Sequence, residues 1–445
     1  MKKRIIVCCD GTWNEAESIK DEHKVPTNVL KMIRAVQPCD EERGIEQVAY
    51  YDKGVDTGYG ISKNLRDCYN FLANNYIAGD DIYLFGFNRG AFTVHLLAGM
   101  LDAVGLLSKN DLGFVPEACA YYHTPPEERT SCLFHLLLQG MPRHTPKIRF
   151  IGVWDTVGAM GAPTTVLGCV QQWAGKLWPQ VRVGFYNCNL LDTVEYAYQA
   201  MAIDERQGPF APALWDKRGA KLEVQRVWFA GVHSNIGGGY RNRGLSDVAF
   251  MWLVNRAREC GLVMNMEYLS ARVTPDALAK QEDSYTTPYK LLEFFRVEPY
   301  VRRIGRCFDV GEMIHESVVR RIQSALHPPY RPGNLLDADG KLQTVSDQGR
   351  TYVVIDGVRV PVYMEREQLR VHWDAAEASF ACAGQTGGSC QIIDFAKACG
   401  ARLRVRTPQP LKVGAQLSLV SPLTGTQQGT VVWRRDDEVG VRFAG

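Results

Sequence analysis

Residues 81–91, Asp-Ile-Tyr-Leu-Phe-Gly-Phe-Asn-Arg-Gly-Ala, constrain the fold of this chain more than any other stretch. A polar start leads into an apolar run ending at Phe87, and a second apolar run extends from Ala91 to Leu107. The first is short and predicts a buried strand, and the second is long enough for a helix. Almost nothing lies between them, so the backbone must change course in one sharp turn centred on Asn88. Gly86 and Gly90, two before and two after it, remove the Cβ atoms that such a turn would crowd. A strained turn of this kind holds its central side chain out at the end of the strand.

The chain has 445 residues, enough for one large domain and a smaller module. Its hydrophobic content of 46% and charged content of 22% allow a sizeable buried core. A net charge of +2 argues against nucleic acid as a partner. The short basic clusters Arg302-Arg303 and Arg434-Arg435 read as solvated surface. The 13 cysteines lie mostly alone, with no Cys-x-x-Cys, which argues against structural zinc and a disulfide framework and for reduced thiols in the cytoplasm. The histidines are dispersed without ligand spacing, so neither metal nor cofactor is expected. The apolar run after Lys2-Lys3-Arg4 stops at Asp10, too short for a signal-peptide core. His95 and Asp102 interrupt the longest apolar helix, so no transmembrane segment is expected.

Residues 1–335 alternate between strand and helix patterns. Expected strands are Arg4–Cys9, Gln47–Tyr51, Asp81–Phe87, Lys147–Trp154 and Val224–Gly231; expected helices include Ser62–Ala78, Ala91–Leu107, Val194–Ile203 and Ser246–Glu259. Continuous apolar strands imply a mostly parallel sheet covered on both faces, an α/β fold with its site beyond the C-terminal strand ends. Residues 336–388 read as a linker carrying a hairpin around Asp356-Gly357. Residues 389–445 hold five short strand patterns, Cys390–Phe395, Ala401–Val405, Gln416–Val420, Gly429–Arg434 and Val439–Phe443, and suggest a small β-barrel.

Three strand ends carry side chains that complement the turn at Asn88. Strand, sharp turn and helix make a nucleophile elbow, and Asn88, Asp155 and His233 follow in the chain order nucleophile, acid, base of an α/β hydrolase. Asp155 ends an apolar run, and His233 precedes Gly237-Gly238-Gly239, a glycine run expected to form a flexible loop that aims the imidazole. Backbone N–H groups of Asp10, Gly11 and Thr12, with that of Arg89, could form an oxyanion hole, and Asn235 joins the site-shaping residues. Singly, each has a plainer reading: an aspartate at a strand end is as readily a helix cap. Their order along one sheet edge carries the argument. The nucleophile itself is missing, because a carboxamide is a poor nucleophile with no acidic proton to surrender.

These stretches resemble the bacterial α/β hydrolase family of type VI secretion phospholipase effectors. The resemblance rests on residues 7–14 (Val-Cys-Cys-Asp-Gly-Thr-Trp-Asn), 26–29 (Pro-Thr-Asn-Val), 51–55 (Tyr-Asp-Lys-Gly-Val), 85–92, 153–158 (Val-Trp-Asp-Thr-Val-Gly), 202–206 (Ala-Ile-Asp-Glu-Arg) and 228–240. It covers about three quarters of the chain and implies a serine hydrolase of lipid esters, with Asn88 at the nucleophile position, Asp155 as acid and His233 as base. The family pattern has Ser at Asn88, Arg at His95, His at Gln199 and Asp at Asn235. Several departures around one site, on a scaffold that keeps its glycines, imply a degenerate hydrolase that acts as a binding or regulatory protein. The alternative is an active phospholipase-type enzyme of which this chain is a nucleophile variant.

The last ~55 residues resemble a PilZ domain, through residues 392–403, the turn at 411–414 and the closing segments 429–434 and 439–443. PilZ domains commonly bind cyclic di-GMP through an Arg-x-x-x-Arg arm, which is absent here, and a turn in which Ala396 stands where Ser is expected. Without the two arginines that clamp phosphate and stack on guanine, the resemblance implies protein contacts rather than cyclic di-GMP. The expected partners are thus a lipid or acyl ester at the site and a protein at the barrel. The expected location is the cytoplasm, or delivery by a secretion system that needs no signal peptide.

Overall fold

The computed structural model describes residues 2–11, 19–20, 23–54, 60–156, 193–207, 222–284, 300–305, 311–324, 326–365, 377–382, 385–396, 400–406, 411–421, 425–435 and 438–443. Its main feature is an eleven-stranded sheet built from β1 (Arg4–Cys9), β2 (Cys39–Asp40), β3 (Ile45–Asp52), β4 (Asp81–Phe87), β5 (Ile148–Trp154), β6 (Val194–Ala202), β7 (Glu223–Phe229), β8 (Glu312–His315), β9 (Thr344–Asp347), β10 (Arg350–Ile355) and β11 (Val358–Tyr363). The order across the sheet is β9-β10-β11-β8-β7-β6-β5-β4-β1-β3-β2. From β3 to β11 every neighbouring pair is parallel, and antiparallel pairing is confined to β2 with β3 and to β10 with β9 and β11. The fold is therefore α/β, a mixed and mostly parallel sheet.

Helices α1 (Asn28–Ala35), α2 (Gly60–Asn75), α3 (Arg89–Val104), α4 (Val115–His123), α5 (Leu133–Gly140), α6 (His233–Gly237) and α7 (Gly244–Glu259) flank the sheet. The period-2 geometry of a strand sends alternate side chains to opposite faces. On β1, Ile5, Val7 and Cys9 enter a core with α2, α3 and α4, while Ile6 and Cys8 enter a second core with α1 and α7. Both faces are covered, which is why β1 and β4 read as continuous apolar runs. Among the described residues no helix is long and apolar enough to cross a membrane.

Three expectations change. Val194–Ala202 is a strand and not a helix. Its Ala, Gln, Met and Glu residues favour a helix locally, but the segment pairs with β5 on one side and β7 on the other, and that placement overrides propensity. The hairpin at Asp356-Gly357 forms, yet it is no part of a linker: β11 pairs in parallel with β8, so residues 350–363 extend the large sheet. The C-terminal module has six described strands rather than five: β12 (Glu377–Cys382), β13 (Gln385–Ala396), β14 (Gly400–Arg406), β15 (Gln416–Ser421), β16 (Gly425–Arg435) and β17 (Glu438–Phe443). They form a small antiparallel sheet in which β12, N-terminal to residue 389, pairs with both β13 and β15.

Candidate active site

The turn after β4 is as sharp as the glycines require. Asn88 adopts φ 56° and ψ −122°, a left-handed conformation that costs a non-glycine residue of order 1–3 kcal/mol. Its N–H donates to the Trp154 carbonyl at 3.3 Å, and its carbonyl accepts from Phe92 N–H at 3.4 Å, starting α3. A Cβ on Gly86 would lie 2.5 Å from the Cα of Ala91, and one on Gly90 would lie 2.1 Å from the Cys9 carbonyl oxygen. Both contacts are with backbone, which cannot move aside. Gly90→Ala is therefore expected to destabilise the fold by on the order of 3 kcal/mol or prevent it from forming, as read by urea denaturation.

Asp155 follows β5 at φ 39° and is fully buried. Its Oδ2 lies 2.6 Å from His233 Nδ1, and its Oδ1 accepts from the Ala202 N–H at 2.9 Å. An ionised carboxylate only accepts, so the imidazole proton sits on Nδ1, which makes Nε2 the nitrogen able to take a proton. Burial alone would raise the Asp155 carboxyl, but the Arg302 guanidinium and the His233 imidazole outweigh it and hold the carboxyl well below the usual carboxylate range.

His233 opens α6, a short helix rather than the flexible loop expected from its glycines. Gly238 ends this helix at φ 86° and forms an isolated bridge with Thr27. The imidazole lies against the Phe87 ring at 4.7 Å between centroids, which sets it beside the residue preceding Asn88. A Cβ on Gly237 would fall inside that ring's contact distance, at 1.9 Å from Cε2, so α6 sits directly on Phe87. The His233 N–H donates to Glu205 Oε2 at 3.1 Å, and Asn28 Nδ2 donates to the carbonyls of Ile236 and Ser246. Helix α6 is thus fixed on several sides.

The other sequence-selected residues lie nearby in different roles. Asp10 is buried at the end of β1, with Oδ2 accepting from Thr27 Oγ1 at 2.5 Å and Tyr51 Oη at 2.7 Å. The Gly11 N–H donates to Asp10 Oδ1 at 2.7 Å, so this N–H serves the local turn. Thr12 lies outside the described residues. Arg89 occupies the first turn of α3, where an N–H has no intrahelical acceptor. Asn235 is buried and uses Oδ1 to accept from the Val232 N–H at 3.2 Å, which shapes the start of α6. Gln199 is buried within β6, and His95 follows Asn88 by two turns of α3.

Burial raises the Asp10 carboxyl to about 6, against hydrogen bonds from Thr27, Tyr51 and Gly11 that lower it. The folded value lies above the unfolded one, so the stability Asp10 contributes is present below about pH 4 and is lost as pH rises through about 6. Relative to Asp10→Asn, the natural protein is expected to lose on the order of 2–3 kcal/mol between those pH values, as measured by urea unfolding at each.

Two side chains central to the site escaped the sequence reading. Arg302, taken there as solvated, is buried, and its Nη1 and Nη2 bind Asp155 Oδ1 and Oδ2 at 2.5 and 2.9 Å; its neighbour Arg303 is exposed. Glu205 is buried and accepts from the N–H groups of Arg206, Gln207 and His233. The Ala202–Arg206 motif contained Glu205 without giving it a role, and nothing in the sequence marked Arg302. A cavity of about 1440 Å³ opens beside these groups, lined among others by Ile203, Glu205, Val232, Arg302 and Tyr330. Among the described residues no group of His, Cys, Asp and Glu could hold a metal ion.

An uncharacterized protein of Saccharomyces cerevisiae is 28% identical over 243 residues, covering 47% of this chain and 32% of its own length. The Tle1 effector solved bound to the VgrG spike of the type 6 secretion system is 16% identical, with a TM-score of 0.35 over 54% of this chain and 52% of that one. An uncharacterized Pseudomonas aeruginosa protein is 15% identical, with a TM-score of 0.35 over 60% and 47% of the two chains. The chain thus spans about a third to a half of these proteins. The family model for the catalytic domain of Tle1-like type VI secretion phospholipase effectors matches residues 3–256, more than half of the chain, and the protein belongs to that family.

Proposed function

We propose that this protein is a phospholipase-like α/β hydrolase scaffold whose site binds a lipid or acyl ester without turning it over. The carrying observation is Asn88: its backbone has the strained geometry of an elbow, while its side chain is a carboxamide that cannot supply an alkoxide to an acyl carbon. In this reading Asp155 and His233 are the inherited acid and base; the Asp10 and Gly11 N–H groups are already used, by the Asp52 carbonyl at 2.9 Å and by Asp10 Oδ1 at 2.7 Å, so the Arg89 N–H at the start of α3 carries the expectation of an acyl-oxygen contact.

The C-terminal sheet fits this picture as a PilZ-like closed barrel used for protein contacts. Its missing arginine arm argues against cyclic di-GMP. A cytoplasmic role, or delivery by a type VI system, suits a family of secreted effectors.

The second reading is an active phospholipase-type enzyme of which this chain is a variant. The intact pairing of Asp155 with His233 favours it, because a buried charge is costly to keep in a site that has lost all use. The natural chain is tested with a fluorophosphonate, which labels activated serines, and with vesicles containing a fluorescent phospholipid. No labelling and no release, with binding that survives His233→Ala, is the expected result. Labelling or turnover with Asn88 in place would overturn the first reading.

A further inference from the structure

We propose that Arg302 is a positioning residue of the acid–base pair, setting both the orientation of the Asp155 carboxylate and the charge that His233 meets. The idea rests on the hydrolase reading of Asp155 and His233. It begins with how fully that carboxylate is occupied. Oδ1 accepts from the Ala202 N–H and from Arg302 Nη1, and Oδ2 faces His233 Nδ1 and Arg302 Nη2. Four contacts use the accepting capacity of a carboxylate and fix its plane. A two-pronged guanidinium clamp does this better than a point charge, because both prongs must be satisfied at once.

The guanidinium is itself held. Its Nη1 also donates to the Ala202 carbonyl at 2.9 Å. Asn334 Nδ2 bridges the Arg302 and Ile203 carbonyls at 3.1 Å each, which ties the backbone of Arg302 to the end of β6. Asp155 and the Arg302 side chain are both fully excluded from solvent, so their attraction is little screened.

The electrostatic consequence falls on His233. In a bare Asp–His pair the carboxylate's whole charge favours the imidazolium. Here Arg302 already neutralises that charge, so protonating His233 leaves a net positive trio. Among the described residues, Glu205 accepts the His233 N–H, and Asp204 accepts from the Gly231 N–H at 2.6 Å and the Tyr330 hydroxyl at 2.8 Å. The Phe87 ring covers one side of the imidazole and adds no charge. Arg302 therefore offsets the carboxylate charge that the His233 imidazole faces.

Arg302→Met and Arg302→Lys test this. In the natural chain, proton NMR follows the downfield resonance of the His233 Nδ1–H, which needs no hydrolysis. Arg302→Met is expected to raise the pH at which this resonance titrates by about one unit or more, and Arg302→Lys to leave it close to the parent. In the Asn88→Ser background, Arg302→Lys is expected to lower kcat about tenfold with little change in KM, since charge is kept and the clamp is lost. An Arg302→Met protein that folds and titrates like its parent would overturn the proposal. Should Arg302→Met not fold, an Arg302→Lys protein with a displaced titration would overturn it instead. An Asn88→Ser protein that hydrolyses nothing overturns the hydrolase reading but leaves the NMR result to decide the role of Arg302.

Discussion

Replacing Asn88 with serine is expected to give a protein that reacts with fluorophosphonates and hydrolyses short acyl esters on the order of 10³-fold faster than the natural chain, or more. The backbone at residue 88 is already at φ 56°, held by Gly86 and Gly90 and by the bond from its N–H to Trp154. Serine is smaller than asparagine and needs no rearrangement of its neighbours. Nδ1 of His233 is committed to Asp155, which makes Nε2 the atom to receive the serine proton. Adding His233→Ala should return the rate to that of the natural chain. An Asn88→Ser protein that folds but is neither labelled nor active would mean that the changes at His95, Gln199 or Asn235 disabled the site as well. That would put the loss of the serine within a broader decay.

Removing the acid should damage the fold as much as the chemistry. Asp155→Ala leaves the Arg302 guanidinium buried without an anion and takes the acceptor from the Ala202 N–H. Breaking a buried pair in this way costs about 3–5 kcal/mol, a large part of the stability of a typical domain. Adding Arg302→Met should recover part of that loss, because it removes the stranded charge, and a double-mutant cycle by urea denaturation measures the coupling. The pH dependence has a definite sign. The folded Asp155 carboxyl lies below its unfolded value, so its contribution to stability is present above about pH 4 and is lost as pH falls toward the folded value. The natural protein should therefore lose more stability than Asp155→Ala on acidification below pH 4. Equal losses would show that the ion pair contributes nothing net.

What could be read from the sequence follows the range of the forces involved. The elbow was legible because its two glycines are imposed by contacts within a few residues of the turn. That Asp155 and His233 meet was legible because each follows an apolar strand, and parallel sheets collect such ends on one edge. Arg302 was not, because its partner lies 147 residues earlier and an Arg-Arg pair resembles any solvated cluster. Only the folded chain shows that one of the two arginines points inward. Val194–Ala202 misled for a related reason: its local preferences favour a helix, and the slot between β5 and β7 exists only once those strands are in place. Thr27 and Asn28 appeared as part of a family motif without a stated task. Thr27 binds Asp10, and Asn28 binds the carbonyls around α6, so that motif joins the first strand to the helix of the base.

The two ends of the large sheet have a consequence for how copies of this protein meet. A long, flat, unpaired border strand is a template on which another chain can add its own strand. Here the sheet stops at one side in Cys39–Asp40, two residues long, and at the other in Thr344–Asp347, four exposed residues ending in an aspartate that meets Arg359 at 3.3 Å. The Thr344–Asp347 border lacks the length that strand addition needs, but β2 pairs only with Ile45 and Glu46, so among the described residues no strand covers the outer side of β3 beyond them. If copies of this protein add strand to strand at high concentration, they are therefore expected to meet at β3 and not at the Thr344–Asp347 border.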